Sequence, residues 1–444
     1  MRSLQRRLAL ALGIPLLLAL AQQQLLRRLP PRLEALEPAA ASAGPAALRA
    51  RFSRPMARAE VAAGSELRPA RPHRWLGEGD TLSLSLTDQR PVDAPLLLRI
   101  GGQDRRGLEL RPSPWVWDPR GRVLAVVPGA GGERLELLDH DGRWRAISPR
   151  WPRLLALEPL GDGSGVAVVS ADADGRQQAW RIRVRQHNLA APQQAARAPR
   201  AEAPERLGPG DRLFVHLSSD RSGRLLVQSG GPRPGSERTW IWPPRGAAIS
   251  LDLRAAGPLR LLPEGGAVVV PEAEGLSLRT LPPRPAVRQL LPGSRDLSSF
   301  CPQAGRALLL RHWPDYRRSL ELVEPGVPPR QLWIGGQAVL ASACERGGQR
   351  VWLLLVDAIG GQRLSLLALD RLGRTVAKRE LGDWVLEPDT ALAFDPASRR
   401  LLTSLRRADA PATAGGEAVV IDADSLVPRG LGRPARQTAW MPPG

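Results

Sequence analysis

The stretch Trp117-Asp118-Pro119-Arg120-Gly121-Arg122-Val123-Leu124-Ala125-Val126-Val127 decides the fold class of this 444-residue chain. It ends one apolar strand, makes a tight polar turn and begins a second apolar strand. The phrase returns as Phe394-Asp395-Pro396-Ala397-Ser398-Arg399-Arg400-Leu401-Leu402. Self-similarity of this kind predicts a repeat architecture. A repeated strand–turn–strand unit is typical of an all-β fold, the β-propeller.

Five weaker copies of the phrase lie between these two. Their turns fall near residues 158, 220, 263, 301 and 344, and each is followed by an apolar run such as Val166-Ala167-Val168-Val169. The mean spacing of the seven turns is about 46 residues. Four strands with hairpin turns occupy roughly 40 to 50 residues, which is one propeller blade. We therefore expect four-stranded blades.

A second phrase follows the first at a similar offset. It reads Leu137-Leu138-Asp139-His140-Asp141-Gly142-Arg143 in one copy and Ala368-Leu369-Asp370-Arg371-Leu372-Gly373-Arg374 in another. An apolar run that ends in Asp-x-x-Gly is typical of a hairpin, because Asp and Gly tolerate the backbone angles of a tight turn. We place this hairpin between the third and the outer strand of a blade.

The two ends of the repeat predict how the propeller closes. Residues 81–86, 95–100 and 107–110 form three strand-like runs with no inner strand before them. The C-terminal phrase Ala439-Trp440-Met441-Pro442-Pro443-Gly444 matches Val116-Trp117-Asp118-Pro119-Arg120-Gly121. We expect the C-terminal strand to complete the first blade with those three runs, which would leave no open sheet edge there. This arrangement gives eight blades over residues 73–444, and seven is the alternative.

These two phrases resemble the WD40-like repeats of the TolB- and YncE-like bacterial β-propellers, at the level of the superfamily. The resemblance covers residues 75–444, and the Asp-Pro-x-Gly core is intact only at Asp118–Gly121. The Trp-Asp and Gly-His dipeptides of true WD40 blades do not recur in register. The resemblance implies a propeller and no particular ligand, since one fold serves many functions.

The N-terminus has the three parts of a secretory signal peptide. Arg2, Arg6 and Arg7 precede an apolar run, and Ala19-Leu20-Ala21 supplies the small residues of a cleavage site. We expect residues 1–21 to be removed and the protein to be periplasmic or secreted. The alternative is an uncleaved membrane anchor over residues 8–26. Residues 22–72 are rich in Ala, Arg and Pro, and we expect a largely disordered tether there.

The charge is strongly positive but is not arranged as in a nucleic-acid-binding protein. The net charge is +19, and Lys378 is the single lysine beside 62 arginines that are spread over the whole chain. This distribution favours compositional drift and argues against a nucleic acid partner. Selection for an anionic envelope component is the alternative.

The two cysteines are candidates for a disulfide bond. Cys301 and Cys344 occupy equivalent turn positions in adjacent predicted blades. In an exported protein the oxidising environment favours a bond between them. Two buried free thiols are the alternative, because neighbouring inner strands can stand too far apart for disulfide geometry.

Two segments depart from the repeat and are candidates for contacting a partner. Residues 185–210 form an insertion that we expect to be a mobile basic loop on the ring. The densest polar and aromatic cluster follows at residues 312–318 and holds the only tyrosine. The candidate partner-binding residues of these two segments are Arg185, His187, Arg197, Arg200, Arg206, His312, Trp313 and Tyr316.

The sequence holds no catalytic, cofactor-binding or metal-binding signature. The five histidines have no paired spacing, and the Asp-x-Asp-Gly stretches lack the remaining ligands of a calcium loop. The first hypothesis is a monomeric, non-catalytic envelope propeller that binds a protein or glycan. The second is a propeller enzyme, a hydrolase or lyase acting on a polysaccharide, with its site at the channel mouth. Three or more converging Asp, Glu, His or Tyr side chains would favour the enzyme.

Overall fold

A computed structural model describes residues 29–41, 44–302, 305–357, 363–387, 391–411 and 415–443. The predicted signal peptide, residues 1–21, lies outside the described residues, as does the alternative anchor at residues 8–26. The chain divides into two compact units. The first comprises the described residues within 29–89, 95–117 and 189–193, and the second comprises the described residues within 90–94, 118–188 and 194–443.

The first unit contains two four-stranded antiparallel sheets, in the orders β1-β2-β5-β4 and β14-β7-β6-β3. Their strands are β1 (Leu33–Ala39), β2 (Ala47–Phe52), β3 (Glu66–Arg68), β4 (His73–Glu78), β5 (Thr81–Leu86), β6 (Leu96–Ile100), β7 (Ser113–Trp117) and β14 (Leu189–Ala190). One helix, α1 (Arg58–Gly64), precedes β3, and a short helix, α2 (Pro192–Ala195), follows β14.

The second unit contains seven antiparallel sheets among its described residues, which we number 1 to 7 along the chain. Sheet 1 consists of β8 (Arg122–Gly129), β9 (Gly132–Leu138), β10 (Trp144–Ala146) and the C-terminal strand β38 (Gln437–Met441). Sheet 2 consists of β11 (Arg153–Pro159), β12 (Gly165–Ala171), β13 (Gln177–Arg185), β15 (Arg200–Ala201) and β16 (Glu205–Arg212).

Sheets 3 to 7 follow in regular succession. Sheets 3 and 4 consist of β17 (Phe214–Ser219), β18 (Leu225–Gly230), β19 (Arg238–Trp242) and β20 (Ile249–Leu251), and of β21 (Arg260–Leu261), β22 (Ala267–Glu272), β23 (Gly275–Thr280) and β24 (Arg288–Pro292). Sheets 5 and 6 consist of β25 (Arg295–Phe300), β26 (Ala307–His312), β27 (Arg318–Val323) and β28 (Arg330–Gly335), and of β29 (Ala338–Cys344), β30 (Arg350–Asp357), β31 (Arg363–Asp370) and β32 (Thr375–Glu380). Sheet 7 consists of β33 (Trp384–Leu386), β34 (Ala393–Asp395), β35 (Arg400–Arg407), β36 (Glu417–Asp422) and β37 (Pro428–Pro434). In sheet 6, a 3₁₀ turn, Arg346–Gly348, lies between β29 and β30.

This succession of four-stranded antiparallel meanders is the architecture of a β-propeller. The first strand of one sheet contacts the first strand of the next, as β11 contacts β17 and β25 contacts β29. Some second strands are buried on both faces, and every residue of β12 and β18 is buried. This burial explains the continuous apolar runs after each turn, because such a strand has no solvent side on which to place polar residues.

The seven sheets correspond to the seven repeat turns, but the expected eighth blade is built differently. The runs at 81–86 and 95–100 form β5 and β6 in the two sheets of the first unit. The C-terminal strand β38 pairs instead with β8, so that Trp440 lies opposite Val123. The repeat phrase identifies an inner strand but not its partner. The copy that ends at Trp117 pairs in the first unit, and β38 takes the inner position of sheet 1.

The expected tether also differs from the structure, because residues 29–72 contain strands β1, β2 and β3 and helix α1. Strand β2 alternates strictly: Leu48, Ala50 and Phe52 are buried, whereas Arg49 and Arg51 are exposed. This is the period of a half-buried strand. The Ala- and Arg-rich composition conceals it, because small alanines and long arginines here divide between the two faces of one sheet.

The Asp-x-x-Gly phrases form the predicted hairpin turns. The Gly142 amide donates to the Asp139 carbonyl at 3.0 Å, and Gly373 closes the same turn on Asp370 at 3.0 Å. Gly142 has φ of 80°, a left-handed conformation that glycine adopts at little cost. The turns therefore connect strands. Within the described residues, no three His, Cys, Asp or Glu side chains are placed to hold a metal ion.

Candidate functional site

The turn between β26 and β27, residues 312–317, presents the only tyrosine of the chain to solvent, and we call it the Tyr316 turn. Tyr316 is 90% exposed. Its φ is 64°, in the left-handed region that a bulky residue rarely adopts. The Tyr316 amide donates to the Trp313 carbonyl at 3.1 Å, which closes the turn. An aromatic ring is thus held outward at the cost of backbone strain.

Side chains on both flanks brace the Tyr316 turn. The His312 Nε2 atom lies 2.8 Å from a carboxylate oxygen of Asp296, and Trp313 Nε1 donates to Ser319 Oγ at 2.9 Å. The Arg311 guanidinium stacks over the Trp313 ring at 3.9 Å from its centroid. The structure therefore places His312, Trp313 and Tyr316 in one turn.

The segment 185–210 is not the mobile loop that the sequence led us to expect. Within it, β15 and β16 add to the edge of β13, and Arg200 lies opposite Arg185 in this pairing. The segment folds back against β13, so its backbone groups form hydrogen bonds with an edge of sheet 2 that would otherwise be unpaired.

Part of the positive charge of this segment is neutralised locally. Arg185 lies 3.4 Å from Glu202, and Arg206 Nε donates to Gln178 Oε1 at 2.7 Å. Burial and the nearby Arg197 lower the pKa of His187, which favours the neutral ring. Arg197 and Arg200 are exposed.

The two predicted contact segments lie at opposite ends of their sheets. The Tyr316 turn joins a second strand to a third, whereas residues 186–204 follow the end of a third strand, β13. Successive turns of an antiparallel meander alternate between the two ends of the sheet. The structure therefore does not combine Arg185, His187, Arg197, Arg200 and Arg206 with the Tyr316 turn into one surface.

Cys301 and Cys344 are joined in the structure by a disulfide bond. Their Cα atoms are 4.9 Å apart and their sulfur atoms 1.97 Å apart. Both residues are buried in one hydrophobic cluster with Leu308 and Val351. The bond links the end of the first strand of sheet 6 to the residue that follows the first strand of sheet 5, inside an apolar core.

A polar cluster to which no sequence motif points lies on the first strands of sheets 2, 3 and 4, and we call it the inner-strand cluster. It consists of Glu158 on β11, His216 on β17 and Arg260 on β21. Burial raises the pKa of Glu158, and the charge of Arg260 acts against this rise. Burial and Arg260 together lower the pKa of His216. The available signal was a lone polar residue in an otherwise apolar strand, as in Leu157-Glu158-Pro159 and Val215-His216-Leu217.

A second buried network belongs to the framework of sheets 1 and 2. Asp118 accepts two hydrogen bonds from Arg120, at 2.8 and 2.7 Å. Arg122 donates to Asp139 at 3.0 Å and to Gln186 at 2.6 Å. Burial lowers the pKa of His140, beside this network, to about 4. These charges are paired with one another, which indicates a structural role.

No helix in the described part of the chain is long and apolar enough to cross a membrane. No protein-family profile matches the chain, and no curated protein does. Export therefore rests on residues 1–21, which the structure does not describe.

Several solved structures are similar to this chain. TolB from Acinetobacter baumannii matches with 12% identity and a TM-score of 0.40, over 80% of this chain and 81% of that one. Apo AztD from Citrobacter koseri matches with 13% identity and a TM-score of 0.47, over 72% of this chain and 98% of that one. An uncharacterised protein from Listeria monocytogenes matches with 11% identity and a TM-score of 0.44, over 71% and 92%. Similarity at this level carries no inference about ligand or activity.

Proposed function

We propose that this protein is a non-catalytic, exported envelope propeller that binds a protein or glycan partner. The observation that carries the proposal is the Tyr316 turn. A tyrosine ring that is 90% exposed and braced on a left-handed backbone costs stability and serves no packing purpose. Rigid aromatic rings are favoured contacts for partners, because they bury a large area and lose little conformational entropy.

The ionisable groups near the first strands support binding over turnover. The inner-strand cluster has two acid–base groups, Glu158 and His216. An enzyme would be favoured by at least three converging Asp, Glu, His or Tyr side chains. Arginine side chains do not act as general acids or bases near neutral pH, so Arg260 adds no third group of this kind. A scaffold that binds without catalysis needs none of these groups to titrate.

The test compares Tyr316→Ala with Leu372→Ala in the full chain. Leu372 is 62% exposed in the Asp370–Gly373 turn, which joins the third and fourth strands of its sheet and so lies at the other end. Immobilised proteins are challenged with envelope proteins and with purified peptidoglycan and lipopolysaccharide. We expect Tyr316→Ala to weaken retention of the partner about tenfold or more, whereas Leu372→Ala binds like the parent. Equal retention by Tyr316→Ala would exclude this turn as the contact.

Export and oligomeric state complete the proposal. N-terminal sequencing of the protein from cells should begin at Gln22, and a mature chain that keeps Arg2 would contradict cleavage.

Size-exclusion chromatography with light scattering should give the mass of a monomer. Repeating the binding assay at low and high salt reports whether an anionic envelope component contributes, because exposed charge pairs weaken with salt.

One observation favours a polysaccharide hydrolase or lyase as the second candidate. Burial raises the pKa of Glu158 and lowers the pKa of His216 on the neighbouring first strand, and perturbed groups of this kind cluster at catalytic sites. Release of reducing ends from an envelope polysaccharide by the parent, and its loss in Glu158→Ala, would establish the enzyme and overturn the binding scaffold.

A further inference from the structure

Three consecutive first strands of the second unit each contribute one polar side chain to the inner-strand cluster. Strand β17 contacts both β11 and β21, so Glu158, His216 and Arg260 come from neighbouring elements. Glu158 and His216 are half-buried and Arg260 is exposed, so solvent reaches all three. Their neighbours on these strands, such as Leu154, Leu217 and Leu261, are buried in the apolar core.

Arg260 has donors to spare. Its Nη1 donates to the Leu217 carbonyl at 3.0 Å, which fixes one side of the guanidinium. Within the described residues no carboxylate lies within ion-pair distance of Arg260. A guanidinium presents five N–H donors in a plane and is suited to a carboxylate or a phosphate. An anionic group is therefore the chemistry that Arg260 recognises.

Glu158 and His216 add an acceptor and a ring surface. Glu158 Oε1 accepts a hydrogen bond from the Ser219 amide at 2.7 Å, and its other oxygen can accept from a hydroxyl. The His216 ring packs beside Phe214, with ring centroids 5.4 Å apart. Paired rings next to polar groups suit a molecule with an apolar face and hydroxyl edges.

We infer that this cluster binds a sugar acid, a sugar that carries a carboxylate or a phosphate. The anionic group binds Arg260, a ring hydroxyl donates to Glu158, and the sugar face lies against His216, whose ring Phe214 supports from the side away from Glu158. The site is separate from the Tyr316 turn. Binding of a sugar acid here is therefore independent of the proposed binding of an envelope partner at that turn.

Isothermal titration calorimetry with three matched probes tests the inference. Glucuronate, glucose 6-phosphate and glucose share one ring and differ at carbon 6, which carries a carboxylate, a phosphate or a hydroxyl. We expect the parent protein to bind at least one of the two anions about tenfold or more tightly than glucose, because charge-assisted hydrogen bonds are the stronger ones. The tighter of the two anions identifies the source, a uronic acid or a sugar phosphate.

Two arginine variants locate the site. Arg260→Gln should lower the affinity for the preferred anion about tenfold, and Arg254→Gln, an exposed arginine just before β21, should leave it unchanged. Both side chains are exposed, so both variants should melt near the parental temperature. Failure of both anions to bind in a saturable way, or equal affinity of Arg260→Gln and the parent, overturns the inference. Neither result bears on the Tyr316 turn, which Tyr316→Ala tests separately.

Discussion

Two junctions between neighbouring sheets of the second unit are held in different ways. Sheets 5 and 6 follow each other directly along the chain, and the Cys301–Cys344 disulfide adds a second covalent link between them. Sheets 7 and 1 lie at opposite ends of the unit's sequence. Their junction depends on strand β38, which follows β37 of sheet 7 and pairs with β8 of sheet 1.

Ion pairs reinforce the junction of sheets 7 and 1. Arg433 donates to both carboxylate oxygens of Glu136, which is 1% exposed, and Arg436 pairs with Glu133 at 2.9 Å. Trp440 Nε1 donates to the Ala393 carbonyl at 3.2 Å. The covalent cross-link therefore does not lie where the two ends of the repeat meet. That junction is stabilised by a strand ladder, apolar burial and buried charge pairs.

Removal of strand β38 should have the largest effect on stability. Deleting residues 437–444 removes Met441, which is fully buried, and the half-buried Trp440, and it leaves the edge of β8 unpaired. We expect the free energy of unfolding to fall by at least about 5 kcal/mol, measured by urea denaturation. Deleting only residues 442–444 keeps β38 and serves as the control. A chain without β38 that unfolds like this control would contradict the role of the strand.

Loss of the disulfide should come next. The bond closes a loop across 43 positions, and removing it in Cys301→Ser/Cys344→Ser should lower the free energy of unfolding by about 4 kcal/mol. Reduction of the parent protein should produce the same loss, and reductant should not affect the double variant. Two thiols that react in the unreduced, denatured parent would show that the bond is absent.

Breaking the buried charge pair should cost somewhat less. Glu136→Gln removes a buried carboxylate and leaves Arg433 and Arg134 without their common partner. We expect a loss of about 3 kcal/mol. Glu202→Gln is the matched control, because the Arg185–Glu202 pair is exposed and should contribute less than about 1 kcal/mol. Similar losses in both variants would remove the distinction between buried and exposed pairs.

The smallest of these effects is a pH dependence at sheet 1. Burial lowers the pKa of His140 to about 4. In the unfolded chain this ring takes up a proton near pH 6.5, and in the folded chain it does so only near pH 4. The contribution of the neutral His140 ring to the free energy of unfolding is therefore fully present above pH 6.5 and is lost as the pH falls towards 4. The loss is about 2 kcal/mol between pH 7 and pH 5.

The variant His140→Gln isolates this contribution. It should abolish that part of the pH dependence, measured as the difference in urea stability between variant and parent at each pH. The subtraction is needed because burial raises the pKa of Glu158 and of Asp395. Protonation of these two carboxyl groups therefore increases the free energy of unfolding as the pH falls, which opposes the effect of His140. A difference that stays constant from pH 7 to pH 5 would show that His140 titrates normally.

The sequence predicts the elements of this fold better than their partners. The apolar runs after each turn and the Asp-x-x-Gly hairpins form the expected strands, because burial and backbone freedom are local properties. The pairing of β38 with β8 is not local. The phrases at Trp117 and Trp440 share Trp, Pro and Gly at equivalent positions, and these shared residues do not indicate which phrase completes sheet 1.

The candidate sites divide in the same way. His312, Trp313 and Tyr316 are adjacent in sequence, so their turn could be predicted from it. Glu158, His216 and Arg260 are up to about a hundred residues apart and converge only because their sheets are neighbours. In the segment 185–210, strand pairing along the edge of β13 overrides a composition typical of a loop.

Hydrogen exchange of strand β8 is the most direct test of the central claim that β38 completes sheet 1. The amides of Arg122–Gly129 are measured by mass spectrometry in the full chain and in the chain lacking residues 437–444, with Ala307–His312 of sheet 5 as an internal reference. We expect β8 to lose protection by about a hundredfold in the shortened chain, whereas the reference strand loses much less. Equal protection of β8 in both chains would show that β38 is not its partner.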